Sequence, residues 1–252
     1  MGSEKRAGIK AVEVAGRILE VLARAQRPIA LRELAAGGHM SPGKVHRYLV
    51  SFLTSGLARQ DPDTRRYSLG PLAMRLGLAA LSSHQPLHDA IMLVRKLRDQ
   101  LDETLVLSVW GAQGPTVVHV EESSQPIVMT MRIGAALPML ATATGLVFAA
   151  FLPRHFTKPL MAAALKADNG SNVFARDSEA IERLITQVRE DGYAYNEGHL
   201  MPNVSALAFP LIDRTTNLVA VMAVMGRSER LSPRDGMETI AYCKEVASSF
   251  SR

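Results

Sequence analysis

With one cysteine, Cys243, in 252 residues, the chain has neither a disulfide framework nor a cysteine-rich metal site of its own. Long apolar runs are also missing: none reaches the roughly 18 residues of a membrane-spanning helix. Residues Met1 to Arg6 mix charges where a signal peptide needs an apolar core, so cytoplasm is the expected compartment. The seven histidines form no ligand constellation. His84 and His88 are four apart, but Pro86 between them argues against one helix face carrying both, and a metal site needs three or four converging ligands. A phosphate loop, a dinucleotide fingerprint, a nucleophile elbow and a His-Glu-x-x-His pair are absent as well. No cofactor and no metal are therefore expected.

What is present begins with a 47% apolar fraction, enough for a sizeable core, and a net charge of +5 that is unevenly placed. Residues 1–70 hold twelve Lys and Arg against six acids, whereas residues 71–252 hold seventeen against eighteen. The whole positive excess sits in the first quarter of the chain, which points to a polyanionic partner for that end alone.

Ala11, Ala15, Ile18 and Leu22 recur at helical spacing, so residues 10–25 read as an amphipathic helix ended by Arg27-Pro28. Residues 31–36 read as a second, short helix broken by Gly37-Gly38. Ser41-Pro42 opens a third, with serine as N-cap and proline at the first helical position. Val45, Leu49 and Phe52 or Leu53 share its core-facing stripe; Lys44, His46, Arg47 and Ser51 fall mainly on other faces. After Gly56, residues 57–60 and 65–69 read as strands joined by the turn Asp61-Pro62-Asp63-Thr64. This order is that of a winged helix-turn-helix, whose third helix reaches base edges in the major groove while wing arginines meet phosphates or the minor groove. Ser41, Lys44, His46, Arg47, Arg65 and Arg66 are the candidate DNA contacts. A three-helix packing module with merely solvated charges is the competing reading.

The run MSPGKVHRYLVSFLTSGLARQDPDTRRYSLGPLAMRLG resembles the DNA-binding domain of the isocitrate-lyase-regulator (IclR) family. The resemblance rests on Val45-His46-Arg47-Tyr48-Leu49, Gly56, and Arg66-Tyr67-Ser68-Leu69-Gly70. It continues through residues 134–145 (GAALPMLATATG), Gly192-Tyr193-Ala194, Ala208-Phe209-Pro210 and residues 219–226. It implies a winged helix-turn-helix over residues 1–70, a linker helix over 71–85 that builds a dimer, and a GAF-like effector domain over 86–252. It further implies a homodimer, often assembled into a tetramer, that binds a pseudo-palindromic operator and represses or activates a catabolic operon. Gly43 and Lys44 stand where the family commonly has hydroxyl residues, so base preference does not transfer from relatives.

Read from its residues, the remainder is α+β: an antiparallel sheet with flanking helices. Helices are expected over 71–81, from about Pro86 to Leu101, over 145–151 and 179–191, and from Pro233 to Phe250. Strands are expected over 105–110, 116–122, 127–131, 204–211 and 218–225. Trp110 and His119 read as core residues of two of these strands, with Trp110 alternatively facing a ligand. Ala141-Thr142-Ala143-Thr144-Gly145 precedes an apolar helix; small residues there let a guest approach the backbone, and free N–H groups at a helix start favour an anion. Capping by Thr142 or Thr144 is the plainer account of the same residues.

By resemblance the effector pocket involves Thr142, Thr144, Gly145, Asn196, Val204, Ala206, Ala223 and Met225. Family members that bind very small oxo-acids carry a carboxylate, a cysteine and serines where Asn196, Ala206, Ala223 and Met225 stand here. The change removes a repulsion for an anion and makes the cavity more apolar, so a larger carboxylate, an aromatic acid, is the expected effector. A small-molecule-transforming enzyme of GAF-like fold is the alternative from another class, and a partner-binding module a third. Turnover of the bound molecule would mark the enzyme.

Overall fold

The computed structural model describes residues 8–25, 27–83, 85–124, 131–166, 178–197, 202–213, 217–233 and 236–250. The chain divides into two compact units, Met1–His84 and Gln85–Arg252.

The first unit runs α1 (Lys10–Ala25), α2 (Leu31–Gly37), α3 (Pro42–Ser55), β1 (Ala58–Gln60), β2 (Tyr67–Leu69) and α4 (Pro71–Ser83). Its core joins Val14, Ile18 and Leu22 of α1, Leu34 of α2, and Val45, Leu49 and Phe52 of α3. The buried face of α1 thus runs through Val14; Ala11 is exposed and Ala15 only partly buried, a shift from the spacing first read. Phe52, not Leu53, completes the α3 stripe. Gly56 ends α3 at φ +77°, where a side chain would be strained. β1 and β2 pair antiparallel, and Ile29 exchanges both backbone hydrogen bonds with Tyr67 at 2.9 and 2.8 Å, adding a bridge beside the hairpin. Asp61 Oδ1 accepts from the N–H groups of Asp63 and Thr64 and from the Thr64 hydroxyl, so one carboxylate shapes the tip of the wing. The returning strand is shorter than residues 65–69: Arg65 takes φ +57° and belongs to the turn.

In the second unit α5 (Gln85–Leu101) leads into β3 (Thr104–Gly111) and β4 (Gly114–Glu121). Helices α6 (Ala143–Phe151), α7 (Arg154–Lys166) and α8 (Ser178–Asp191) follow. Then come β5 (Ala194–Glu197), β6 (Val204–Ile212), β7 (Leu218–Arg227), α9 (Ser228–Leu231) and α10 (Met237–Ser249). The antiparallel sheet has the order β4-β3-β7-β6-β5. Period-two alternation divides it: Leu207, Phe209, Met222 and Val224 face the core with α5 and α10, whereas Ala208, Val221, Ala223 and Met225 face that with α6 and α8. Trp110 packs on this second side, its ring centroid 5.5 Å from that of Phe148 in α6. His119 Nε2 lies 2.7 Å from Glu121 Oε1, which also accepts from Arg95 Nε at 2.9 Å, binding β4 to α5.

α7 and β5 were not foreseen. The last helix starts at Met237, four residues after Pro233, with the short α9 ahead of it. The strand expected over 127–131 and His84 lie outside the described residues, apart from Met131, which is not in a strand.

Candidate functional site

Two places concentrate the residues singled out above. The first is the start of α3. Ser41, Lys44, His46 and Arg47 are all exposed there while Val45 and Leu49 of the same helix are fully buried, so apolar anchoring holds the polar residues outward. Ser41 is the N-cap by backbone geometry, but its hydroxyl makes no capping bond. On the wing, Arg65 is exposed and Arg59 Nε donates to Ser68 Oγ at 3.0 Å across the hairpin. Arg66 differs: its Nη1 donates to Glu33 Oε1 at 3.2 Å, and Glu33 also accepts from Arg27. Arg27's hydrogen bond, ahead of the other contributions, holds the Glu33 carboxyl below the usual carboxylate range. Arg66 is thus tied within its own unit, and Arg59 is a wing cation that pattern reading left off the contact set.

The second place is a cavity in the second unit, between the start of α6, β5 and the pocket-side faces of β3, β6 and β7. It encloses about 480 Å³ of space free of atoms, part of it continuous with solvent. Thr142, Thr144, Asn196, Val204, Ala206, Ala223 and Met225 line it. Gly145 does not, for a physical reason: a Cβ there would sit 2.2 Å from the Met139 carbonyl oxygen, so its missing side chain admits the protein's own backbone rather than a guest. Thr142 is the α6 N-cap; its hydroxyl accepts from Gly145 N at 2.9 Å and donates to the Pro138 carbonyl at 2.7 Å. The capping account therefore holds for Thr142. α6 leaves the N–H groups of its first residues, Ala143 and Thr144, outside its own bonding, and both residues line the cavity.

Six further described residues line the cavity: Val106, Met131, Leu137, Ala141, Ala143 and Ser205. Val106 pairs with Ala223 across β3 and β7, and correct strand register would have found it. Asn196 Nδ2 donates to the Ala141 carbonyl at 2.8 Å, joining β5 to the loop before α6. Ser205, fully buried, donates to Ser228 Oγ at 2.8 Å and lies 3.1 Å from Tyr195 Oη. Among the described residues, no charged side chain lines the cavity. Among the described residues, no group of three or more His, Cys, Asp or Glu could hold a metal, and no helix is long and apolar enough to cross a membrane.

Comparison with known proteins agrees with both halves of this description. Residues 11–62 match the IclR helix-turn-helix domain, and residues 78–252 match the bacterial transcriptional regulator IclR C-terminal domain. The chain is 29% identical to the glycerol operon regulatory protein of Streptomyces coelicolor, over 97% of this chain and 96% of that one. It is 36% identical to Pseudomonas aeruginosa HmgR, whose crystal structure superposes with a TM-score of 0.57 over 96% of this chain and 97% of that one. The fold is shared with an IclR homologue from Microbacterium hydrocarbonoxydans solved in complex with 4-hydroxybenzoate, at 17% identity and a TM-score of 0.74, over 95% and 97% of the two chains. With matches spanning the helix-turn-helix and the whole second unit, the chain belongs to the IclR family of bacterial transcriptional regulators.

Proposed function

We propose that this regulator is a cytoplasmic homo-oligomer, a dimer or a tetramer of two dimers, that binds a pseudo-palindromic operator and answers to an organic carboxylate with an apolar, aromatic body. On this reading Ser41, Lys44, His46 and Arg47 at the start of α3 approach base edges and phosphates, with Arg65 and the wing alongside. Arg66 acts chiefly by holding the wing in place. α4, within residues 71–85, serves as the linker helix between reading head and effector domain.

The single observation that carries the ligand class is the cavity's wall: apolar and small side chains, no acid among the described residues, and the first two residues of α6, whose N–H groups the helix itself does not bond. A carboxylate placed there meets backbone donors and the positive end of the helix dipole. The small apolar side chains of the walls suit the face of a ring better than a polar body. The complex of the Microbacterium relative with 4-hydroxybenzoate is consistent with that class. The effector acts by linkage, binding one arrangement of the paired subunits better than another, with a coupling of about 1–3 kcal/mol.

Calorimetry with benzoate, 4-hydroxybenzoate, glyoxylate and pyruvate tests the ligand, and a gel shift on the DNA upstream of the protein's own gene tests the reading head. The expected result is binding of the aromatic acids in preference to the two small oxo-acids, and a DNA affinity that falls steeply with salt as phosphate contacts release counterions. Binding of glyoxylate or pyruvate alone overturns the aromatic assignment. Indifference to the DNA at low ionic strength, with and without these acids, overturns the regulator mechanism.

A further inference from the structure

A second cavity lies at the other end of α6, separated from the first by a nine-residue helix, about 12 Å at 1.5 Å per residue. Phe151, the last residue of α6, forms one wall; Pro210 and Ile212 from the end of β6 form another, and all three are half-buried. Arg189 of α8 and Lys244 of α10 supply its charge. The cavity encloses about 640 Å³ of space free of atoms, open solvent included.

The two cations are only partly explained by the fold. Arg189 gives Nε and Nη2 to the Ala150 carbonyl at 2.9 and 2.6 Å, capping the C-terminal end of α6. That bond leaves the Nη1 donors of the guanidinium outside it. Helix capping accounts for none of Lys244, whose ammonium lies 5.7 Å from the centroid of the Tyr193 ring. That ring is itself stacked on Phe209 with centroids 5.8 Å apart. Asp191, beside Gly192, adds to burial in raising the Tyr193 hydroxyl pKa, yet among the described residues it pairs with neither cation. The Ser248 hydroxyl is already given to the Lys244 carbonyl at 2.8 Å. Among the described residues, two positive groups and no carboxylate line this concavity, beside an apolar wall.

We propose that this cavity is an anion site in its own right. It takes a small organic oxyanion, a carboxylate or a phosphate monoester, with oxygens on Lys244 Nζ and Arg189 Nη1 and an apolar body against Phe151, Pro210 and Ile212. A charge-assisted pair of donors gives orientation, and the half-buried apolar wall takes the body of the guest. The site does not depend on what occupies the cavity at the start of α6.

The test uses crystals of the full chain soaked with 4-bromobenzoate in one arm and 4-bromophenyl phosphate in another, with bromine located by its anomalous signal, alongside calorimetry in solution. The expected result is bromine against Phe151, Pro210 and Ile212 in at least one arm. Lys244→Met should abolish that peak and weaken the corresponding binding about tenfold or more, while Lys244→Arg retains it. The carboxylate and phosphate arms tell the two oxyanions apart. No bromine at this cavity in either arm, a peak that survives Lys244→Met, an equal peak with neutral 4-bromobenzyl alcohol, or binding at crystal concentration only, each overturns the site.

Discussion

Arg66 Nη1 donates to Glu33 Oε1 across 3.2 Å and reaches the Pro28 carbonyl at 3.4 Å, tying the residue ahead of the second wing strand to the first turn of α2. Both side chains of the ion pair are about 40% exposed, so solvent screens it and its worth is mainly positional. Arg66→Ala should lower the melting temperature slightly and weaken DNA binding less than Arg47→Ala. Arg47→Ala should cost about 1 kcal/mol or more if the guanidinium reaches a base or holds a phosphate tightly. Glu33 titrates below the usual carboxylate range in the folded chain, so its contribution is present above the unfolded pKa and lost as pH falls through the folded value. The difference in melting temperature between wild type and Arg66→Ala should accordingly shrink in acid and in high salt. Equal loss of DNA affinity from both substitutions would make Arg66 a contact of the same rank.

At the start of α6, cap and close approach can be separated. Thr142→Val removes the hydroxyl that accepts from Gly145 N and should cost about 1 kcal/mol of stability. Thr142→Ser should restore most of it. Gly145→Ala should cost more than the lost cap, because the added methyl would meet the Met139 and Pro138 carbonyl oxygens at 2.2 and 2.6 Å, and both are backbone. Denaturant melts of the three variants check the order; Gly145→Ala melting like wild type would mean that the preceding loop yields freely.

These residues also mark what a sequence shows and what it hides. The Pro-Gly-Lys-Val-His-Arg helix and its wing were legible because each local signal, cap residue, apolar stripe, glycine stop and turn carboxylate, agrees with the packing that follows. α7 was hidden by Pro159, which cannot donate to the His155 carbonyl and so reads as a break; burial of Thr157 and Met161 carries the helix through it. Pro233 misled in the other direction: it has the look of a first helical residue, but α10 begins only at Met237, with Gly236 as its N-cap. In the cavity, residues on alternating strands were within reach of pattern reading, whereas Met131 and Leu137 enter from irregular chain, where no period points anywhere. Gly145 shows the limit most sharply, since a glycine that admits ligand and one that admits backbone are the same letter.

Cys243 is fully buried, and burial pushes its thiol up to about 12. The thiolate is the reactive form, so the native chain should resist iodoacetamide and a disulfide reagent at neutral pH. One equivalent should react once the chain is unfolded in guanidinium. Rapid labelling of the native protein would show that α10 opens from the sheet on the experimental timescale.

Glu103 is 6% exposed just ahead of β3, with Arg230 Nε at 3.1 Å but not in hydrogen-bonding geometry with its Oε1. Burial raises its carboxyl pKa, with Asp102 adding and Arg230 opposing. A raised acid favours the folded state when protonated, so wild-type stability from this group falls as pH rises from the unfolded pKa through the folded one. Glu103→Gln lacks that loss. Its melting temperature relative to wild type should rise between mildly acidic and neutral pH; a constant or falling difference across that window would mean that the Arg230 pairing outweighs desolvation.

Asn196 offers the most direct test of the charge argument in the effector cavity. Its Nδ2 donates to the Ala141 carbonyl at 2.8 Å, and the side chain lines the cavity. Asn196→Asp keeps the shape, sets a carboxylate oxygen against that carbonyl and places a negative charge beside the proposed carboxylate guest. At an effective dielectric constant near 20, like charges several ångströms apart repel by about 2 kcal/mol, so the Kd for benzoate should rise roughly tenfold or more. Asn196→Ala removes the same hydrogen bond without adding charge and should cost less. The two mechanisms part further with pH: lowering it enough to protonate the introduced carboxylate should recover affinity in the Asn196→Asp variant and leave the Asn196→Ala deficit in place. Binding of neutral benzyl alcohol should differ little between the two. Equal losses from both substitutions at every pH would show that Asn196 matters as a strut between β5 and the α6 loop, and that the absence of an acid from the wall has no bearing on which guest the cavity accepts.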